Sequence, residues 1–392
     1  MKQGWEYKKL GEVCTIERGG SPRPITDYIT DSEDGINWIK IGDAQEGSKY
    51  ITSTKEKIRP EGIKKSRFVH KGDFILSNSM SFGRPYILKV DGCIHDGWLV
   101  IHDDNEVFIK DYLYYILSSP IMYAKFSQLA VGGVVNNLNS SLVRKVSIPL
   151  PPKSTQLTIV SELDKINELI RLKKEQLKDC DNLAQSIFYE MFGDPVENDK
   201  GFNTKRLDEV FPLITDGTHQ TPTYTEDREN GYKFLSAKDV TSGSINWDNV
   251  KYIPVWLHDN LSKRLKPQKN DILLCKNGTT GICALVEDDE IFDIYVSLAL
   301  LRPNDKHNPK YLTYAINSPA TKRQFDDSLK GIGVPNLHLK EIRKTIIIVP
   351  PLPLQHLFAQ RIEQIERQKS AVQKSITDLE TLLASRMQYW FE

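Results

Sequence analysis

The chain has no excess of charge of either sign. Its 392 residues carry 52 lysines and arginines against 52 aspartates and glutamates, so no global field draws it to a polyanion and any basic surface has to be local. Long apolar runs are missing too. The longest, Ile346 to Leu354, is broken by three prolines, which rules it out as a membrane-spanning helix, and the opening MKQGWEYKKL has no apolar core of a secretion signal. A soluble, cytoplasmic protein with no membrane partner is expected. Cysteine is scarce: the five present, an odd number without close pairs, argue against a disulfide framework and against a zinc site with two-residue ligand spacing. No metal site is expected, and the thiols are expected to be buried or idle.

Catalytic constellations are also lacking. There is no GxxxxGKS or GxxxxGKT phosphate loop and no HExxH helix, and the eight histidines lie apart with no partner spacing. The Pro-Pro pairs lack the preceding Asp or Asn and the following aromatic that an amino-methyltransferase needs, and no glycine-rich strand-to-helix turn suits a methyl donor. Pro195 to Lys200 (PVENDK) has the wrong spacing of acid and lysine for a metal-dependent nuclease. These absences describe a binder, not an enzyme.

What the sequence does contain is itself, twice. Ser154 to Phe192 reappears as Pro353 to Phe391 at a constant offset of 199 positions, with Gln156 on Gln355, Leu163 on Ile362, Ile166 on Ile365 and Phe192 on Phe391. In the first copy Ile159, Leu163, Ile166, Ile170, Lys173, Leu177, Cys180, Ala184, Ile187 and Met191 step by four and three, a heptad seam with one charged interruption. The second carries Phe358, Ile362, Ile365, Lys369, Val372, Ile376, Leu379, Leu383, Arg386 and Trp390, with two. Each copy predicts a helix of nearly 40 residues, roughly 58 Å long. Proline marks the starts, and Gly193-Asp194-Pro195 stops the first. If the seams pair, connectivity makes the helices antiparallel, with a globular segment expected at each end of the rod.

The segments outside the helices repeat more loosely. WEYKKLGEV (Trp5 to Val13) matches FNTKRLDEV (Phe202 to Val210), WIKIGD matches FLSAKD, Lys49-Tyr50-Ile51 matches Lys251-Tyr252-Ile253, GDFILSNSMSFG matches NDILLCKNGTTG, and DYLYYILSSP matches KYLTYAINSP. Short β-rich runs (Asp73 to Leu76, Trp98 to Ile101, Val146 to Leu150; Ile272 to Cys275, Val296 to Leu301, Thr345 to Val349) alternate with Gly, Asn and Asp turns. The expected fold is α+β: globular segments 1–150 and 195–349, each a twisted, mainly antiparallel sheet with short helices, and helical segments 151–194 and 350–392.

Nucleic acid is the binding partner with local support. From Lys49 to Lys71 eight lysines and arginines face two acids, Lys64, Lys65 and Arg67 among them, and the stretch Lys251 to Lys269, with Lys263 and Arg264, is also basic. Such strips suit phosphate contacts. Loops rich in base-reading side chains carry Arg18 and Arg23; Asn78, Ser79, Ser81 and Arg84; His219, Gln220 and Thr221; Lys238; and Lys276, Asn277, Thr279 and Thr280. Arginine pairs with guanine and asparagine or glutamine with adenine in the major groove. The competing reading of each, a turn residue capping its own backbone or a solvated lysine face, stays open here.

Two diverged segments, each ending in a loop of the form G-x-G/V-x-x-N-L (Gly132 to Leu138, with Asn136 and Asn137; Gly331 to Leu337, with Asn336), then a strand, a Pro-Pro step, a glutamine and a long heptad helix, resemble the DNA specificity subunit of type I restriction-modification systems. The resemblance covers essentially the whole chain. Its most specific part is the copied boundary, Ile148 to Gln156 and Ile348 to Gln355; the chain departs from the usual pattern in having Thr155 and Leu354, not glutamate, before the two glutamines. The resemblance implies two target-recognition domains, each reading half of a bipartite site on double-stranded DNA, with the helices as a ruler. It also implies docking of two modification subunits that bind S-adenosylmethionine, and of restriction subunits that use ATP and Mg, the chain itself holding no cofactor. A coiled-coil scaffold unrelated to DNA, or the specificity part of a fused methyltransferase or nuclease, are the alternatives.

Overall fold

The structure of the chain, a computed structural model, describes all residues except 1–3, 46, 79–81, 131–137, 242 and 330–334. It forms two compact units, Met1–Glu175 with Gln373–Glu392, and Gln176–Val372. Both long helices, Lys153–Phe192 and Leu352–Phe391, therefore contribute residues to both units.

In each unit the first strand pairs antiparallel with the strand that precedes a long helix: Glu6–Lys9 with Ser147–Leu150, and Thr204–Arg206 with Ile346–Ile348. This is why WEYKKLGEV and FNTKRLDEV recur. Leu10 and Leu207, at the start of the short helices that follow, are fully buried. The sheet expected of each half is divided into three among the described residues, mostly antiparallel as anticipated. The first unit has a five-stranded sheet ordered Thr15–Arg18, Trp98–His102, Phe74–Ser77, Pro85–Leu88, Tyr50–Ile51; the second has a four-stranded sheet ordered Leu213–Asp216, Leu298–Arg302, Ile272–Cys275, Cys283–Leu285. A second sheet accompanies each, five-stranded and centred on Ile36–Ile39 in the first unit, three-stranded and centred on Tyr232–Leu235 in the second.

The central strands of the large sheets read as unbroken apolar runs because both faces are buried, and successive side chains point to opposite faces. Ile272 and Leu274 join Ala299 and Leu301 in a core shared with the helices, while Leu273 and Cys275 join Leu298 and Leu300 in a second core behind the sheet. The first unit repeats the pattern, with Phe74, Leu76, Leu99 and Ile101 on the helix side and Ile75, Trp98 and Val100 on the other.

Two expectations are corrected. The Lys49-Tyr50-Ile51 and Lys251-Tyr252-Ile253 match is a coincidence of letters: Tyr50–Ile51 pairs in parallel with Pro85–Leu88, whereas Lys251–Ile253 pairs antiparallel with Tyr232–Leu235, the place held in the first unit by Glu56–Ile58. The seam also slips. Ile159, Leu163, Ile166, Ile170, Cys180 and Ala184 are buried, as are Phe358, Ile362, Ile365, Val372 and Ile376; Leu177, Leu379 and Leu383 are half-buried. At the last steps the buried residues are Phe188 and Phe192, not Ile187 and Met191, and Met387 and Phe391, not Arg386 and Trp390. A helix of 3.6 residues per turn drifts by about 20° per heptad against a strict 3.5 repeat. Four heptads bring the next residue to the face.

Within each unit the two helix segments run antiparallel. In the first, Glu162 accepts from Arg386 and from Trp390, at 3.0 Å, and Lys174 meets Glu380 at 3.0 Å. In the second, Lys369 pairs with Asp181, and Phe358 packs edge-on against Phe188 and Phe192.

The repeated glutamine has a structural role. Gln156 and Gln355 are each 1% exposed. Gln156 accepts from Ile109 N at 2.8 Å and donates to Pro151 O at 3.0 Å; Gln355 accepts from Asn308 N at 2.8 Å and donates to Pro350 O at 2.7 Å. One side chain thus satisfies the N–H at the start of a short helix and a carbonyl of the Pro-Pro step, groups that would each cost about 1–3 kcal/mol if left buried and unpaired. Thr155 and Leu354 take no part in these bonds, so the departure from glutamate leaves the staple intact.

Candidate nucleic-acid interface

The rim of each unit is built from the ends of the large-sheet strands. Gly19 and Gly217 follow the first strand of each sheet, and a Cβ on either would lie 2.2 Å from His95 O or 2.0 Å from Ile294 O. Only glycine lets the loop pass so close to the neighbouring turn. The next loop is fastened in the same way in both units: Asn78 N donates to Gly97 O and Lys276 N to Ser297 O, while Leu138 N donates to Asn78 O and Leu337 N to Lys276 O, all at 2.8–2.9 Å. The G-x-G/V-x-x-N-L motif therefore ends by clamping the loop after the central strand. Gly83 (φ 79°) and Gly281 (φ 83°) close that loop over Phe126 and Phe325 in the left-handed region that favours glycine.

In the first unit the charges converge on Asp96. Its carboxylate accepts from Ser21 Oγ at 2.8 Å and lies 3.0 Å from His95 Nε2, 3.8 Å from an Arg23 amino nitrogen and 3.9 Å from one of Arg18. Its carbonyl accepts from Arg18 Nε at 2.9 Å and from Asn78 Nδ2 at 3.0 Å. Burial works to raise the Asp96 carboxyl, but the Ser21 bond and the charges of His95, Arg18 and Arg23 hold it below the ordinary carboxylate range. Arg18, Arg23 and Arg84 are exposed. Arg67 donates to Arg18 O at 3.0 Å and pairs with Glu17 at 2.9 Å, and Lys65 donates to Tyr28 OH at 2.6 Å. Lys64 is exposed beside it.

In the second unit the convergence point is Asp216. Its Oδ2 lies 2.6 Å from Lys276 Nζ and 3.3 Å from His219 Nε2, and its carbonyl accepts from Arg264 at 2.7 Å. Burial again pushes the carboxyl up, and the bond and charge of Lys276, backed by His219, bring it below its usual range. His219, Gln220, Thr221, Lys238, Lys263, Arg264 and Thr279 are exposed. Asn277 and Asn336 form an isolated antiparallel bridge.

Three of the base-reading candidates are buried: Asn78, Lys276 and Thr280. Asn78 donates through Nδ2 to Asp96 O, its Oδ1 being buried with no partner among the described residues, and Lys276 Nζ is held by Asp216. Ser79, Ser81, Asn136 and Asn137 lie outside the described residues. The acids at the centre, Asp96 and Asp216, carry no signal in the sequence that sets them apart from other turn aspartates. Nothing in the sequence joins Asp216 to Lys276 sixty positions on, although the glycines after the first strands do mark a close approach.

Among the described residues no group of three or more His, Cys, Asp or Glu is placed to hold a metal ion, and no helix is long and apolar enough to cross a membrane. Burial pushes the Cys14 and Cys275 thiols up to about 12 and that of Cys93 to about 11. Such thiols carry little of the thiolate form near neutral pH.

Comparison with known proteins adds to this geometry. The family described as "Type I restriction modification DNA specificity domain" matches the chain twice, over residues 2–179 and 199–381. The chain is 22% identical to the type I restriction enzyme EcoBI specificity subunit of Escherichia coli, over 96% of this chain and 82% of that one. It is 24% identical to the MjaIX specificity subunit of Methanocaldococcus jannaschii, over 97% and 91%. A chain from a solved type I R-M system superposes with a TM-score of 0.65 at 19% identity, over 99% of this chain and 97% of that one, a likeness of fold.

Proposed function

The chain belongs to the family of type I restriction modification DNA specificity domains, and from that membership we propose that its two units each read one half of a bipartite, asymmetric site on double-stranded DNA. The observation that carries the reading is the double match, one copy of the specificity domain to each half. Equivalent backbone bonds, Gly19 N to Trp98 O and Gly217 N to Leu298 O, hold chemically unlike rim loops, ERGGSPRP against TDGTHQTP. A shared scaffold with different side chains suits two readers of different sequences, since base edges specify while phosphate contacts only position.

In this reading the long helices set the gap between the half-sites and dock two modification subunits, which bring S-adenosylmethionine. Restriction subunits using ATP and Mg complete the assembly. The chain supplies recognition and no catalysis. Mapping methylated adenines in cells that carry the chain with its modification subunit tests this. Two unlike half-sites separated by a fixed gap are expected, and a palindrome or unpatterned methylation refutes it.

A further inference from the structure

We propose that His219 is a specificity-determining residue of the second unit, its imidazole anchored through Nε2 so that Nδ1 accepts from the exocyclic amino group of an adenine or cytosine in the major groove. The inference rests on the DNA-reading function above and names the residue and the chemistry of one contact.

The anchor is Asp216, at the end of strand Leu213–Asp216 and 8% exposed. His219 Nε2 lies 3.3 Å from Asp216 Oδ2, and because a carboxylate accepts and does not donate, the charge of Asp216 favours the tautomer whose proton is on Nε2. In the neutral ring that leaves Nδ1 as an acceptor. The free major-groove donors are the amino groups of adenine and cytosine. Lys276, 6% exposed and 2.6 Å from the same carboxylate oxygen, balances the buried acid, and Arg264 bonds its carbonyl. The acid is therefore compensated before DNA arrives and does not repel phosphate. The His219 side chain is 71% exposed on this buried support.

The first unit reaches the same design with other residues. Ser21, two positions after Gly19 as His219 is two after Gly217, is held at 2.8 Å by Asp96, a carboxylate from a different turn. Two unrelated acids fixing the same loop position indicate that the position has to be fixed. An exposed turn residue of no consequence needs no such support.

The test uses the assembled modification enzyme on duplexes randomised across the site, with the wild-type chain and His219→Ala. The substituted side chain is exposed, so folding is preserved. Wild type should give a two-part site. His219→Ala should relax one base pair of one half-site, from a preference of at least about fivefold to less than about twofold, leaving the other half-site and the gap unchanged. Unaltered preference at every position overturns the inference. So does a uniform loss of methylation across all sequences, the signature of a phosphate contact. A wild-type enzyme with no two-part site would instead refute the DNA-reading function itself, so the two failures are told apart.

Discussion

At the scale of the residue, each rim is organised by one acid that the surrounding side chains have to satisfy. Asp96 collects Ser21, His95, Arg18 and Arg23, and Asp216 collects Lys276 and His219. Both carboxyls sit below their ordinary range, and a depressed folded value means the unfolded chain binds the proton more tightly. Their contribution to stability is then present in full above the unfolded value of about 3.9 and is lost as the pH falls through the depressed one. Asp96→Asn, which keeps the shape and removes the charge, should lower the urea midpoint at pH 7, with the difference from wild type shrinking towards pH 3. A difference that stays constant from pH 7 to pH 3 would show that the charge is not what Asp96 supplies.

At the scale of the element, the long helices do two things with one stripe: the seam joins helix to helix, and its last turns join each helix to a sheet core. The slip to Phe188 and Phe192, and to Met387 and Phe391, is where the second role takes over. Phe188→Ala should therefore cost about 3–5 kcal/mol, and Ile187→Ala, one residue earlier and half-buried, distinctly less; chemical denaturation of the two variants checks the order. Equal losses would restore the strict heptad. Length is the other property of these helices. Seven residues inserted after Glu175 and seven after Val372, where both helices pass from one unit to the other, keep the seam in phase. They add about 10 Å, or roughly three base pairs. Methylation mapping should show unchanged half-sites with a longer gap, or an inactive enzyme, since three pairs also turn the duplex by about 100°. Active enzyme with the original gap refutes the ruler.

At the scale of the whole molecule, the chain is one design written twice, and what was copied differs from what diverged. Tyr112 OH donates to Pro149 O and Tyr311 OH to Ile348 O, each at 2.8 Å, and Arg144 and Arg343 donate to the carbonyls of Ile16 and Ile214. The tyrosine bonds and the glutamine staples fasten a short helix of each unit to the strand and Pro-Pro step that precede its long helix, and the arginine bonds fasten a second short helix to the first strand of the large sheet. The rim loops agree only in their backbone bonds, Asn78 N to Gly97 O as Lys276 N to Ser297 O, and their side chains differ. Purified chain incubated with labelled S-adenosylmethionine and DNA should transfer no methyl groups, and added modification subunit should confer the activity. Transfer by the chain alone would make it an enzyme.

The sequence by itself determined the duplication, the two long helices and the apolar strands, because periods of 3.5 and 2 and a constant offset are properties of the chain read linearly. Pro-Pro and Gln156 mark the helix start for the same reason, since the bond from Gln156 to Pro151 O joins groups five residues apart, whereas the bond from Ile109 N spans 47 positions and belongs to the tertiary structure. Only the tertiary structure decided which polar residues face outward. Lys276 reads in the sequence as a base-reading candidate, but folding places Asp216 beside it, and His219 and Arg23 meet their acids the same way. The short-strand pairings were likewise beyond the sequence. Two identical tripeptides, Lys49-Tyr50-Ile51 and Lys251-Tyr252-Ile253, belong to different sheets, because two or three residues carry too little hydrophobic pattern to choose a partner and the burial around them chooses instead.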